Sequence, residues 1–112
     1  MLDARDAVAN KATALYSRGE TRDFIDADVV VRSGRFTQDE VLALADDREV
    51  QPMDRAILTA RFREISDHDP EEFALYGVTG VEREQLVARF AAWAVAIDPL
   101  GSAAAGDEGA AP

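Results

Sequence analysis

The stretch SGRFTQDEVLALADD, residues 33–47, is the most strongly patterned segment of the chain and indicates its fold class. Thr37 followed three positions later by Glu40 matches the capping box, in which each side chain accepts a hydrogen bond from the other residue's backbone N–H. Phe36 precedes Thr37 and Val41 follows it by four positions, so the two side chains are placed to form a hydrophobic staple. The stretch therefore predicts a helix over residues 38–47 that begins at Thr37.

Working outward, apolar residues recur at helical spacing along most of the chain. We predict an all-α fold, a compact array of about five or six short helices in one domain over residues 1–98. A flexible acidic, Ala/Gly-rich tail is expected over residues 99–112, because the end of the chain lacks large apolar side chains. The predicted helices, besides 38–47, span residues 2–18, 21–33, 52–66, 70–76 and 81–97.

The segment TRDFIDADVVVRSG, residues 21–34, also permits another structure. Its three consecutive valines have high β-propensity, so a strand over residues 28–32 or a small hairpin over residues 28–36 is the alternative. The helical interpretation is favoured because Phe24, Ile25 and later valines fit one helical face. Thr21 is a candidate N-cap for this helix.

The composition restricts the classes of function. Among 112 residues, 12 are basic and 22 are acidic, which gives a net charge of −10, and no cysteine is present. Binding to nucleic acid or to anionic membranes needs a positive face, so we expect neither. The absence of cysteine excludes thiol catalysis, disulfides and zinc–thiolate sites.

The location of the protein is predicted from what the sequence lacks. The N-terminal residues MLDARDAVANK carry acids where a signal peptide needs basic residues, and no apolar run approaches the roughly 18 residues of a membrane span. Arginine greatly outnumbers lysine, and alanine is abundant. We therefore expect a cytoplasmic protein, and the composition is typical of a GC-rich bacterial genome.

Part of the opening stretch resembles the EF-hand calcium loop. When SGRFTQDE is aligned with the second half of that loop, Gly34 occupies the sixth position and Glu40 the twelfth. The first and third positions are then Val29 and Val31, whose side chains offer no oxygen to calcium. The resemblance implies a degenerate EF-hand-like segment that binds no calcium. We predict no metal ligands and no cofactor.

The segment DHDPEE, residues 67–72, contains the only histidine, His68. A histidine among carboxylates is compatible with metal binding or acid–base catalysis. A structural interpretation is favoured, because a usual zinc site needs further His or Cys ligands, and Asp69 with Pro70 is typical of a helix start. Glycine-rich phosphate loops and G-x-S-x-G elbows are absent from the sequence. We therefore expect a protein without catalytic activity.

The last predicted helix carries the candidate residues for binding a partner: Trp93, Arg89 and Phe90. Tryptophan and arginine are enriched at interface hot spots, although a core position is the favoured interpretation of Trp93. The predicted function is a non-catalytic acidic helical protein–protein interaction module, such as an adaptor, regulator or assembly component. Its partner would be another protein or a second copy of the chain. The alternatives are an acidic DNA mimic that inhibits a nucleic-acid-binding protein and a degenerate EF-hand-like protein.

Overall fold

The computed structural model describes residues 4–100 of the chain and contains, over this range, helices and no strands. The prediction of an all-α array of short helices is confirmed, and the alternative of a strand or hairpin within residues 28–36 is wrong, because α2 continues through the valines to Arg32. The predicted tail lies mostly outside the described residues. The helices are α1 (Ala4–Ser17), α2 (Thr21–Arg32), α3 (Gln38–Arg48), α4 (Arg55–Glu64), α5 (Pro70–Ala74) and α6 (Gly80–Ile97), with a 3-10 turn over Ile65–Asp67 between α4 and α5.

The helices form two packed groups. Helix α1 packs against α2 and α3, α4 packs against α6, and contacts between α1 and α4 join the groups. No helix in the described range is long and apolar enough to cross a membrane.

The start of α3 has the predicted cap. The backbone N–H of Glu40 donates to Thr37 Oγ1 at 3.1 Å, and the N–H of Thr37 donates to Glu40 Oε1 at 3.0 Å. The hydrogen bond from the Thr37 N–H lowers the pKa of the Glu40 carboxyl below its ordinary value. The side chain of Glu40 is thus engaged in a helix cap, while Val29 and Val31 lie within α2. The EF-hand resemblance itself stays a prediction.

The turn between α1 and α2 differs from expectation in one residue. Gly19 ends α1 with φ of +63°, and the N-cap of α2 is Glu20, not Thr21. The N–H of Glu20 donates to Asp23 Oδ2 at 2.9 Å, and Arg18 Nη2 donates to Asp23 Oδ1 at 2.6 Å. Because Thr21 is not needed as a cap, its hydroxyl is free to make the long-range contacts described below.

Asp23 and Asp46 each accept hydrogen bonds from one backbone N–H and from one arginine. Burial raises the pKa of Asp23, but the hydrogen bonds from Arg18 and from the Glu20 N–H outweigh it, so the net pKa is lowered. Asp46 in α3 likewise has a lowered pKa, because the Arg55 guanidinium and the Met53 N–H outweigh its burial. Both carboxylates are therefore stabilised in their charged form.

An aromatic cluster forms the centre of the core. Phe90 lies edge-on to Phe24 and to Phe62, with ring centroids 5.0 Å and 5.2 Å apart, and Phe62 is 4.7 Å from Trp93. All four rings are buried. Ile57 of α4 is half-exposed, whereas Leu58, Thr59 and Phe62 of the same helix are buried.

Candidate functional site

An open cleft of about 720 Å³ lies where the α1–α2 turn meets the 3-10 turn and α5. We call it the acidic cleft. Arg22 is the one arginine or lysine among the residues that line it. The carboxylates that line it are Glu20, Asp67, Asp69 and Glu72. The sequence segment DHDPEE thus supplies most of the negative charge of this cleft.

A hydrogen-bonded group built on Thr21 fixes one wall of the acidic cleft. Thr21 Oγ1 lies 2.6 Å from His68 Nδ1 and donates to Glu72 Oε2 at 2.7 Å. Thr21 is only 4% exposed. A hydroxyl carries one proton, so when it donates to the carboxylate it can only accept from the imidazole. His68 therefore carries its proton on Nδ1, and its other ring nitrogen is an acceptor when the ring is neutral.

Two aromatic rings of the core pack against the ring of His68. Phe24 lies edge-on to the imidazole with centroids 5.4 Å apart, and Phe73 is 6.4 Å away. With Nδ1 engaged by Thr21, these contacts fix the orientation of the ring. His68 is half-buried, and its Nε2 has no hydrogen bond to any residue in the described range.

The carboxylates of the cleft are largely unneutralised. Asp67, Asp69 and Glu72 take part in none of the ion pairs between described residues. Glu20 is 3.6 Å from Arg18, but both side chains are well exposed, so the attraction is weak. Arg22 faces Asp26 at 3.8 Å. The cleft therefore has a negative potential that a cationic group would relieve.

Two apolar side chains stand beside these acids. Leu75 is 80% exposed and Tyr76 is 51% exposed, and both line the acidic cleft. They follow the last turn of α5, which ends before Gly77 at φ of +77°. Asp69 caps that helix by accepting from the Glu71 N–H at 2.9 Å, as predicted. An apolar pair bordered by charge is a common composition of protein-binding surfaces.

The Thr21 hydroxyl in the cleft is not placed to act as an activated nucleophile. Thr21 is buried, and its hydroxyl donates to Glu72, so His68 does not act on it as a base that would activate a nucleophile. No group of three or more His, Asp or Glu side chains within residues 4–100 is arranged to hold a metal ion.

The predicted partner-binding residues lie in a different place. Trp93 is 3% exposed and Phe90 is 1% exposed, so the indole belongs to the core, which was the favoured interpretation. Arg89 is partly exposed and forms two hydrogen bonds to Asp28, at 2.7 Å and 2.8 Å. This contact raises the pKa of Arg89 above its ordinary value. The side chain of Trp93 is therefore not an exposed anchor for a partner.

These three residues nevertheless line a common cavity, which we call the Trp93 pocket. It has a volume of about 150 Å³ and lies between α2, the start of α3 and α6. Its lining comprises Asp28, Val31, Gln38, Arg89, Phe90, Ala92 and Trp93. The sequence analysis predicted Trp93, Arg89 and Phe90 as partner-binding residues and did not indicate the other residues that line this pocket.

The sequence analysis singled out the acids of the DHDPEE segment but favoured a structural role for them, and it indicated neither Glu20 nor the organisation of the acidic cleft. The contact between Thr21 and His68 joins segments far apart in the chain, and no local pattern announces it. The exposure of Leu75 and Tyr76 is only weakly indicated by the sequence, because both residues lie at the end of a short predicted helix, just before Gly77.

Comparison with known proteins assigns no relative to this architecture. No family model, no curated protein and no solved structure matches the chain.

Proposed function

We propose that the protein is a non-catalytic protein–protein interaction module that binds a cationic segment of another protein in the acidic cleft. The observation that carries the proposal is the combination in one cleft of unpaired carboxylates with the exposed side chains of Leu75 and Tyr76. The matching segment carries arginine or lysine beside a large apolar residue. The composition further supports a bacterial, cytoplasmic setting for this interaction.

Charge and apolar contact contribute differently to such a complex. Exposed ion pairs each contribute about 0.2–1 kcal/mol, so the carboxylates mainly guide the approach and select the sign of the partner's charge. Burying a leucine or aromatic side chain contributes roughly 1.5–3 kcal/mol. Leu75 and Tyr76 therefore supply most of the affinity, and their acidic surroundings supply selectivity.

The apolar pair also bears on the alternative of a DNA mimic. A phosphate backbone presents charge at regular spacing, and binding to its mimic would fall steeply with salt. Two exposed apolar side chains within the charged area favour a peptide-like partner. Self-association of the chain through the cleft would require a cationic segment on the second copy. Most arginines already lie within 4 Å of a carboxylate of the same chain and are therefore less available to a second copy. They are those at positions 18, 22, 32, 48, 55, 61, 63 and 89.

Peptide titration tests the proposal. A fluorescent peptide with two arginines around a leucine, a peptide with glutamates in place of the arginines, and one with serine in place of leucine are titrated with the protein at about 50 and 300 mM salt. We expect saturable binding of the first peptide, weaker at high salt, and little binding of the other two. Analytical centrifugation at the same concentrations reports whether the chain associates with itself.

Matched variants locate the binding. Asp67→Asn is expected to weaken binding a few-fold, and Leu75→Ser by about tenfold, from the contributions above. The controls are Asp47→Asn, an exposed acid elsewhere, and Val50→Ser, an exposed valine in the α3–α4 loop. Equal binding of the glutamate peptide, or equal losses in the control variants, would contradict the proposal.

A further inference from the structure

The only histidine of the chain, His68, lines the acidic cleft. Histidine ordinarily changes its charge between about pH 5 and 8, whereas ordinary carboxyl groups are ionised throughout that range. The imidazole is half-buried, so solvent reaches part of the ring. A proton taken up by this ring therefore changes the charge of the cleft wall by one unit near neutral pH.

The surroundings of the imidazole are mostly negative. The rings that pack against it come from α2 and α5. The charged and titratable groups that line the cleft with it are, from its own segment, Asp67 and Asp69, from the start of α2, Glu20 and Arg22, and, from α5 and the turn after it, Glu72 and Tyr76. Four of these six groups are carboxyls and one is a guanidinium. A positive charge on the ring therefore offsets part of an excess of negative charge.

The contact with Thr21 allows the ring to take up a second proton without losing a hydrogen bond. The neutral ring already donates from Nδ1 to Thr21 Oγ1 at 2.6 Å, because the hydroxyl donates to Glu72. The second proton therefore binds to Nε2, which has no hydrogen bond to any residue in the described range. Both nitrogens of the cation are donors, so the contact from Nδ1 persists. Protonation thus changes the charge of the wall and keeps its hydrogen bonds.

We propose that protonation of His68 regulates the acidic cleft, which binds its cationic segment near neutral pH and holds it more weakly under mildly acidic conditions. This regulation rests on the function proposed above, since it acts on the same cleft. Like unit charges about 4–6 Å apart change a binding constant about three- to fivefold in water. We therefore expect the affinity for a cationic segment to fall about three- to fivefold when the ring is protonated.

Peptide titration at two pH values tests this regulation. The fluorescent peptide with two arginines around a leucine, its ends acetylated and amidated, is titrated with the full chain at about pH 7.5 and about pH 5.5 in about 50 mM salt. Blocked ends and arginine side chains keep the charge of the peptide constant over this range. For the wild type, Kd should be about three- to fivefold higher at the lower pH.

The matched variant is His68→Asn. Its side-chain amide N–H takes the place of Nδ1–H as a donor to Thr21 Oγ1, and the amide does not titrate in this range. We expect Kd of this variant to be equal at the two pH values, with circular dichroism confirming that it is folded at both.

Nuclear magnetic resonance of the wild type measures the same coupling in reverse. Because the chain has one histidine, its ring C–H signals report the titration of His68 directly. Linkage is reciprocal, so saturation with the peptide should move the midpoint of that titration to lower pH by about 0.5–0.7 of a pH unit. Peptide binding without pH dependence, an equal dependence in His68→Asn, or an unmoved midpoint would each overturn the regulation and leave the proposed function intact. Absence of saturable binding at both pH values would overturn both.

Discussion

The ion pair between Asp28 and Arg89 should tie α2 to α6 more strongly than a surface pair does. The Asp28 side chain is 7% exposed and that of Arg89 is 37% exposed. Unit charges about 4 Å apart attract by about 1 kcal/mol in water and by about 4 kcal/mol at an effective dielectric constant of about 20. The half-accessible guanidinium places the pair between these limits, and the cost of burying the carboxylate reduces it. We expect a coupling free energy of about 2 kcal/mol.

A double-mutant cycle measures this coupling. The free energy of unfolding in urea is determined for the wild type, Asp28→Asn, Arg89→Gln and the double variant, by circular dichroism and by the fluorescence of Trp93. The single variants should lower Tm by about 10 °C, given 4–8 °C per kcal/mol in a domain of this size. The control cycle uses Asp6 and Arg48, an ion pair at 3.6 Å whose side chains are 53% and 40% exposed, for which at most about 0.5 kcal/mol is expected.

Equal coupling energies in the two cycles would refute the reasoning. A coupling below about 0.5 kcal/mol for Asp28 and Arg89 would mean that the geometry of two short hydrogen bonds does not raise the strength of the pair above that of an exposed contact.

The remaining predictions concern pH and the turn after α1. The pKa values of Asp23 and Asp46 are lowered by folding, so their contribution to stability is complete above the unfolded-state value of about 3.9 and is lost as the pH falls through the folded-state values. Urea unfolding between pH 3 and 7 should therefore show stability falling below about pH 4, less steeply in Asp46→Asn; an equal slope in the variant would contradict this. Gly19→Ala should lower the free energy of unfolding by about 1 kcal/mol more than Gly34→Ala does. Both residues have positive φ, so both variants carry backbone strain. A Cβ at position 19 would also lie 3.0 Å from Arg61 Cδ, whereas a Cβ at position 34 would have no neighbouring atom within 4 Å. Thermal melts of the two variants provide the comparison, and equal shifts in Tm would show that Arg61 gives way freely.

Features determined by neighbours along the chain could be predicted from the sequence. The capping box of Thr37 and Glu40 involves residues three positions apart, and Asp69 with Pro70 starts α5 by equally local contacts. Helical periodicity likewise placed the six helices to within a few residues. These elements depend on backbone hydrogen bonds and on side chains within one turn, which a single sequence contains in full.

Features determined by packing between helices could not be predicted in the same way. Thr21 is a residue type favoured at N-caps, but Glu20 takes that position. The hydroxyl of Thr21 is instead hydrogen-bonded to His68 and Glu72, which are 47 and 51 positions later in the chain. Ile57 lies next to buried Leu58 at an apolar position of α4, yet it stays half-exposed. Each outcome depends on crossing geometry that periodicity alone leaves open.

The single proton of the Thr21 hydroxyl has a consequence for cooperativity within the acidic cleft. Because that proton is given to Glu72, the same oxygen atom accepts from Nδ1–H of His68, and Nε2 is left as the acceptor of the ring. A ligand that donates to Nε2 favours the Nδ1–H tautomer, which in turn keeps the hydroxyl directed at Glu72. The hydroxyl thus couples ligand binding at His68 to the position of the Glu72 side chain.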